Sequence, residues 1–399
     1  MRYRKISGSF IFTLTGNPLK NGIIVVDHEG MIVDIIDTGG DLTESEGVEH
    51  YSGILCPGFV NTHCHLELSH LKGKIAEQLH LPEFLRQIML LRNEDEEFQE
   101  LAAKQADRFM WQSGIVAVGD IANSSIMLGI KEESLVFYHT LIECFGFLPA
   151  RAPRVIEYAE FVSRLYEASG LKSSIVPHAP YSVSDELFDL LAEEAKKEKS
   201  ILSIHHQESA EEDKMFADKS GNLIKHYSDN LKLDADFWTS TGKSSTNTIL
   251  EKIPAESTLL LVHNTFLGEE DLNLIKERRS SQNTFFVTCP NANLYIENRL
   301  PDYQLLIDSG FPVCIGTDSL ASNHTLSLLE EMKVINENIS EISLNGLLEW
   351  ACINGARALG IDDWAGSFEI GKKPGINLIT GADMKTMKFT SKSKVKKIQ

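Results

Sequence analysis

Cysteine is scarce in this chain, six residues in 399. They are Cys56, Cys64, Cys144, Cys289, Cys314 and Cys352, and no CxxC pair occurs, which excludes a zinc ribbon and a thioredoxin-like redox motif. All but Cys64 stand in apolar or small-residue runs and read as core thiols. Positive charge is short as well: 38 Lys and Arg face 57 Asp and Glu, a formal net charge of −19. Duplex binding needs clustered Lys and Arg to displace counterions, so a nucleic-acid surface is excluded. No run approaches the roughly 18 apolar residues of a membrane span. The apolar stretch Phe10 to Phe12 near the basic N-terminus is too short for a signal peptide. HExxH is missing, which removes a zincin protease, and no GxGxxG opens a helix as a dinucleotide-binding sheet requires. These absences predict a soluble, cytoplasmic protein with a small-molecule substrate and neither nucleic acid nor membrane as partner.

What the chain does have is alternation. Eight short apolar runs recur at 54–63, 114–122, 136–144, 173–180, 201–208, 258–266, 284–293 and 312–319, with helix-period stretches such as Ser184 to Lys199 and Ser343 to Leu359 between them. Strands alternating with helices imply parallel βαβ units. The runs pass into His, Asp, Glu, Cys or Asn at their C-terminal ends, the face where (β/α)₈ barrels carry their chemistry. Outside them, Ile11 to Leu14, Gly22 to Asp27 and Met31 to Ile36 read as antiparallel strands near the start, and Gly366 to Ile370 and Ile376 to Thr380 near the end. The expected fold is α/β: a (β/α)₈ TIM barrel over 54–361, with a small β-sandwich domain built from both termini, 1–53 and 362–399. Ser209 to about Ser245, with Phe237 and Trp238, reads as a loop-rich lid. The lysine-rich tail, Lys385 to Lys397, reads as a terminal strand with a frayed end.

The strongest local signal is Asn61-Thr62-His63-Cys64-His65. Residues two apart on a strand share a face, so His63 and His65 can share one metal. A lone HxH is weak evidence; its company strengthens it. His205 in His205-His206-Gln207-Glu208 offers a third nitrogen, while His206 faces the other way and reads as packing. Glu208 can reach over the site from the following loop. His263 and Asp318 close the sixth and eighth runs. Three neutral imidazoles and one carboxylate leave a position open for water, the mark of a catalytic rather than a structural metal site. His65-Leu66-Glu67 matches half of the cytidine-deaminase signature, but its PCxxC partner is absent. Glu67 and His70 stay unassigned.

The set HCH, HHQE, VHN and GTDSLAS, in this order, resembles the amidohydrolase superfamily and, within it, the aminohydrolase/chlorohydrolase branch. Pro57-Gly58-Phe59-Val60, Pro177-His178-Ala179-Pro180-Tyr181-Ser182, Cys289 to Leu294 and Gly366 to Ile376 fit the same pattern. HCHLELSH is similar to the aminodeoxyfutalosine deaminases of menaquinone biosynthesis. The resemblance implies one divalent metal, zinc first and iron(II) second, bound by His63, His65, His205 and Asp318. No lysine ends the fourth run, which favours a mononuclear site. It also implies a homodimer, and substrate contacts from His178 and Arg154.

The reaction expected is hydrolysis of a C–NH₂ group on an adenine nucleoside-like substrate, with catalytic roles for Glu208, His263 and Asp318. Asp318 orients the water, His263 steers its proton, and Glu208 protonates the ring nitrogen and then passes a proton to the leaving ammonia. Two alternatives stay open: a chlorohydrolase-type or cyclic amidine/imidazolone hydrolase, and a non-catalytic barrel scaffold. The scaffold is disfavoured because all six groups of the constellation are present.

Overall fold

Eight short strands with little polar surface lie parallel in two sheets of four. They are β1 (Phe59–Cys64), β2 (Ile115–Ala122), β3 (Phe137–Cys144), β4 (Lys172–Pro177), β5 (Ile201–His206), β6 (Thr258–His263), β7 (Thr284–Thr288) and β8 (Val313–Ile315). The computed structural model describes residues 3–42, 47–198, 200–339 and 341–399. β1 to β4 pair in sequence order, and so do β5 to β8. Every residue of β1, β2 and β7 is buried, as strands covered on both faces require. The sheets touch along two seams. At one, the His205 N–H donates to the His178 carbonyl at 2.9 Å; at the other, the Thr317 and Asp318 N–H groups donate to the His63 carbonyl at 3.0 and 3.1 Å. This is an α/β fold of TIM-barrel type.

Helices follow the strands where the apolar period predicts them. Asp185–Glu198 starts behind Ser184, whose Oγ accepts the Leu187 N–H at 3.3 Å; Lys199, its expected last residue, lies outside the described residues. The expected helix from Ser343 to Leu359 is two, Leu344–Ala351 and Ile353–Ala358, broken at Cys352. Glu96–Gln112 is capped by Asp95, which accepts the Glu97 N–H.

The terminal strands differ from expectation in three ways. First, they form one hydrogen-bonded sheet rather than two facing ones. Its order is Lys394–Lys397, Ile376–Thr380, Val48–Pro57, Arg4–Ile11, Ile23–Val26, Ile32–Ile36, with Leu19–Lys20 also on Arg4–Ile11. It encloses a separate core of Ile6, Ile24, Val26, Leu55, Phe368 and Ile376. Second, the strand expected at Ile11 to Leu14 is Arg4–Ile11 instead, with Ser7 and Gly8 paired to His50 and Tyr51 in the ladder. Third, Ile54 to Pro57 belong to this sheet and not to the barrel: the run from 54 to 63 is two strands, and Val48–Pro57 crosses the expected division after residue 53. Gly366 to Ile370 is a loop that buries Phe368.

Candidate functional site

Six residues singled out by sequence meet at the C-terminal ends of the strands. The Nε2 atoms of His63 and His65 are 3.2 Å apart. Asp318 Oδ1 lies 3.6 Å from His63 Nε2 and 3.4 Å from His65 Nε2. Ligands about 2.0–2.1 Å from a tetrahedral zinc stand about 3.3–3.4 Å from one another, so these three edges have the size of one face of such a site. His205 and His263 face it, with ring centres 4.9 and 5.7 Å from that of His63. The donor atoms of His63, His65 and Asp318, and again those of His63, His205 and His263, fall within 4.8 Å of one another. The donor set fits a divalent metal.

Hydrogen bonds behind the rings orient them, as they do behind metal-binding imidazoles generally. His205 Nδ1 donates to the His178 carbonyl at 2.7 Å, which turns the Nε2 lone pair into the site. His263 Nδ1 donates to Asn293 Oδ1 at 2.8 Å. Its Nε2 is buried without a partner, 3.6 Å from Glu208 Oε1. His206 points away to Asn264 and Thr246.

None of the six is more than 8% exposed. Burial pushes His65 down to about 3 and lowers His205 and His263, giving the neutral imidazoles that bind metals. Burial alone would raise Asp318, but its hydrogen bond with His63 and the nearby His65 and His263 rings hold it well below the usual carboxylate range. Glu208 moves the opposite way. Burial, then the Asp318, Glu297 and Glu143 carboxylates, push it well above the usual carboxylate range. The backbone is strained here too: Gln207, His263, Asn264 and Asp318 have φ of 48°, 74°, 55° and 55°. Such conformations cost about 1–3 kcal/mol each and cluster at functional sites.

Gly316 explains the first residue of the GTD segment. A Cβ there would lie 2.8 Å from His63 Cβ and 2.9 Å from both Cys289 Sγ and the His63 carbonyl oxygen. Gly316→Ala is expected to destabilise the fold by about 1–3 kcal/mol through overpacking, measured by urea unfolding.

Other expectations sort cleanly. His178 joins the cluster, its ring 4.8 Å from that of His205 and its Nδ1 2.6 Å from Ser182 Oγ. Arg154 does not: it stands exposed in the first turn of Ala152–Ala168. Glu67 is structural, accepting the Asn123 N–H at 3.1 Å with Arg92 3.6 Å away. His70 Nδ1 donates to the Glu67 carbonyl. The lid segment is more helical than expected, with Ala210–Asp218, Gly221–Lys225 and a π-helical turn at His226–Asn230. It packs over the strand ends: Tyr227 stacks on Phe147 at 3.9 Å and donates to the Tyr181 carbonyl, Phe237 packs on Phe147, and Trp238 packs within the segment on Phe216. A cavity of about 820 Å³ is bounded by Ser209, Ala210, Glu83, Phe266 and Arg299; neither Glu208 nor the residues of the cluster line it.

Sequence reasoning missed Glu143, at the end of β3. Its side chain is 5% exposed; Oε2 accepts from Asn123 at 3.0 Å, and Oε1 lies 3.8 Å from His205 Nδ1. Burial pushes it up to about 7. The available signal was a lone carboxylate ending an apolar run.

The chain is similar to several known proteins. An adenosine deaminase of Helicobacter pylori (strain ATCC 700392 / 26695) is 28% identical over 82% of this chain and 79% of its own length. A 5-methylthioadenosine/S-adenosylhomocysteine deaminase of Bacillus cereus (strain AH187) is 25% identical over 89% of this chain and 79% of its own. The crystal structure of Helicobacter pylori aminofutalosine deaminase in complex with methylthio-coformycin superposes with a TM-score of 0.81 at 25% identity, covering 97% of this chain and 93% of that one. The model of the amidohydrolase family matches residues 54–398, a span that takes in all eight parallel strands and every histidine of the cluster, and the chain belongs to that family.

Proposed function

We propose that the protein is a metal-dependent hydrolase that removes ammonia from the adenine ring of a nucleoside. The observation that carries this is the placement of Glu208, a buried carboxyl 3.6 Å from His263 and beside the His63–His65–Asp318 cluster, where burial raises its pKa. The deaminase relatives support it, and the likeness to the aminofutalosine enzyme makes an aminofutalosine-type nucleoside, and with it menaquinone biosynthesis, the first case to test.

His63, His65, His205 and Asp318 would hold one divalent metal, zinc first and iron(II) second. When bound, it supplies the Lewis acidity that brings the pKa of water to about 7. Glu208 gives its proton to the ring nitrogen beside the amine-bearing carbon, which makes that carbon more electrophilic. Asp318 orients the attacking water and takes one of its protons; His263, its tautomer set by Asn293, hydrogen-bonds the incoming oxygen. The proton on Asp318 leaves with the amine as ammonia. The remaining hydroxyl proton returns to Glu208, the ring nitrogen keeps its new proton, and the carbon becomes a carbonyl.

The sign of the pH dependence follows. Glu208 acts in its protonated form and its pKa is raised, so kcat/KM is highest below that raised value and falls as pH climbs through it. A stopped pH profile of ammonia release checks this; a rate that keeps rising through the alkaline range contradicts the assignment. The founding experiment is ammonia release from purified, metal-analysed protein. The panel is adenosine, methylthioadenosine, adenosylhomocysteine, aminodeoxyfutalosine, guanine and cytosine, with chelation as control. Chelator-sensitive release from an adenine compound is the expected result. Silence across the panel with one metal per chain moves the reaction to another leaving group.

The two four-stranded sheets are taken as one closed (β/α)₈ barrel, supported by the seams at His178–His205 and His63–Asp318. The terminal sheet, wrapped on its own core, is taken as the small sandwich-like domain, and the division falls after Pro57.

A further inference from the structure

β1 does not pair evenly with β2. Asn61 faces Val118 and Cys64 faces Asp120, so Thr62 and His63 together stand opposite the single residue Gly119. An extra residue of this kind bends a strand and re-aims its side chains, and such bulges recur beside active sites. Gly119 permits it: a Cβ there would come within 2.8 Å of the Thr62 carbonyl oxygen.

Beyond the bulge, a side chain replaces the ladder. Asp120 Oδ1 accepts the Leu66 N–H at 2.8 Å, the first amide after His65. Behind it, Lys131 Nζ lies 2.7 Å from Asp120 Oδ2, with the two side chains 0% and 1% exposed. Lys131 also donates to Thr140 Oγ1 at 3.0 Å and sits 5.3 and 5.1 Å from the ring centres of Tyr138 and Tyr166. A buried ion pair is not by itself a source of stability, since apolar residues of similar volume commonly do as well or better. The pair therefore calls for another reason. Asp120 supplies the acceptor that Leu66 needs, and Lys131 holds the other oxygen of that carboxyl.

We propose that the Asp120–Lys131 pair is a positioning device for the paired histidines, clamping the chain directly behind His65 so that the His63 and His65 Nε2 atoms converge. The opposite flank is already held, because the Thr317 and Asp318 amides both donate to the His63 carbonyl. Without Asp120 the chain directly behind His65 loses its side-chain anchor to β2. The inference rests on His63 and His65 being metal ligands.

Two double substitutions separate clamp from filler. Asp120→Leu with Lys131→Met removes both charges and the acceptor. Asp120→Asn with Lys131→Met removes the charges but keeps an oxygen toward Leu66. Zinc affinity is read by competition with a chromophoric chelator, with the melting temperature alongside. The apolar double substitution is expected to melt close to the native chain yet bind zinc about 10–100-fold more weakly, and the amide double substitution to recover most of that loss. Native affinity in the apolar variant overturns the inference, and so does equal weakening in both. If the apolar variant does not fold, Asp120→Ala with Lys131→Met takes its place in the same comparison. A native chain that takes up neither zinc nor iron(II) overturns the metal-centre reading itself, and the clamp with it, before any variant is compared.

Discussion

Glu208→Gln is expected to fold, keep one metal per chain and lose about 10²–10⁴-fold in kcat, the usual worth of a positioned general acid. Glutamine keeps the shape of the side chain and its hydrogen-bonding reach but has no proton to give the ring nitrogen. Nothing in the cluster formed by His63, His65 and Asp318 depends on Glu208, whose contact there is with His263 Nε2 at 3.6 Å. Elemental analysis should thus read as in the native protein while ammonia release collapses. Turnover at the native rate would remove Glu208 from the proton path.

His65→Ala is expected to lose both metal and turnover. His65 Nε2 supplies two of the three short edges of the cluster, 3.2 Å to His63 and 3.4 Å to Asp318. Its removal leaves His63 and Asp318 at 3.6 Å, with His205 and His263 opposite, and no third donor on that face. Zinc added at concentrations that saturate the native chain should not restore ammonia release. Full metal occupancy in the purified variant would overturn the ligand set.

How much of this was legible in the sequence depended on whether the signal was local. His63 and His65 declare themselves because the strand period is two and both fall on one face. His205, His263 and Asp318 are readable because each interrupts an apolar run near its end. Glu143 has no such companion; its meaning comes from His205, a neighbour only in space. The left-handed backbone at His263 and Asp318 carries no sequence mark, since neither is glycine. Arg154 was assigned by resemblance and proves exposed. The segment after Glu208 read as loop because its helices are short and owe their form to packing on Phe147 and Tyr181. Ile54 to Pro57 looked like barrel because buried strands of either sheet are equally apolar.

The terminal sheet also sets a timetable. Val48–Pro57, which leads straight into the HCH strand, has Arg4–Ile11 on one flank and Ile376–Thr380 on the other. The first flank is synthesised well before the second. At ordinary synthesis rates, on the order of 20–70 s separate them. For that interval the newborn chain carries an open, apolar strand edge next to its future reaction centre, the kind of edge that recruits other chains. Truncated translation products should for this reason depend on chaperones far more than the finished protein does.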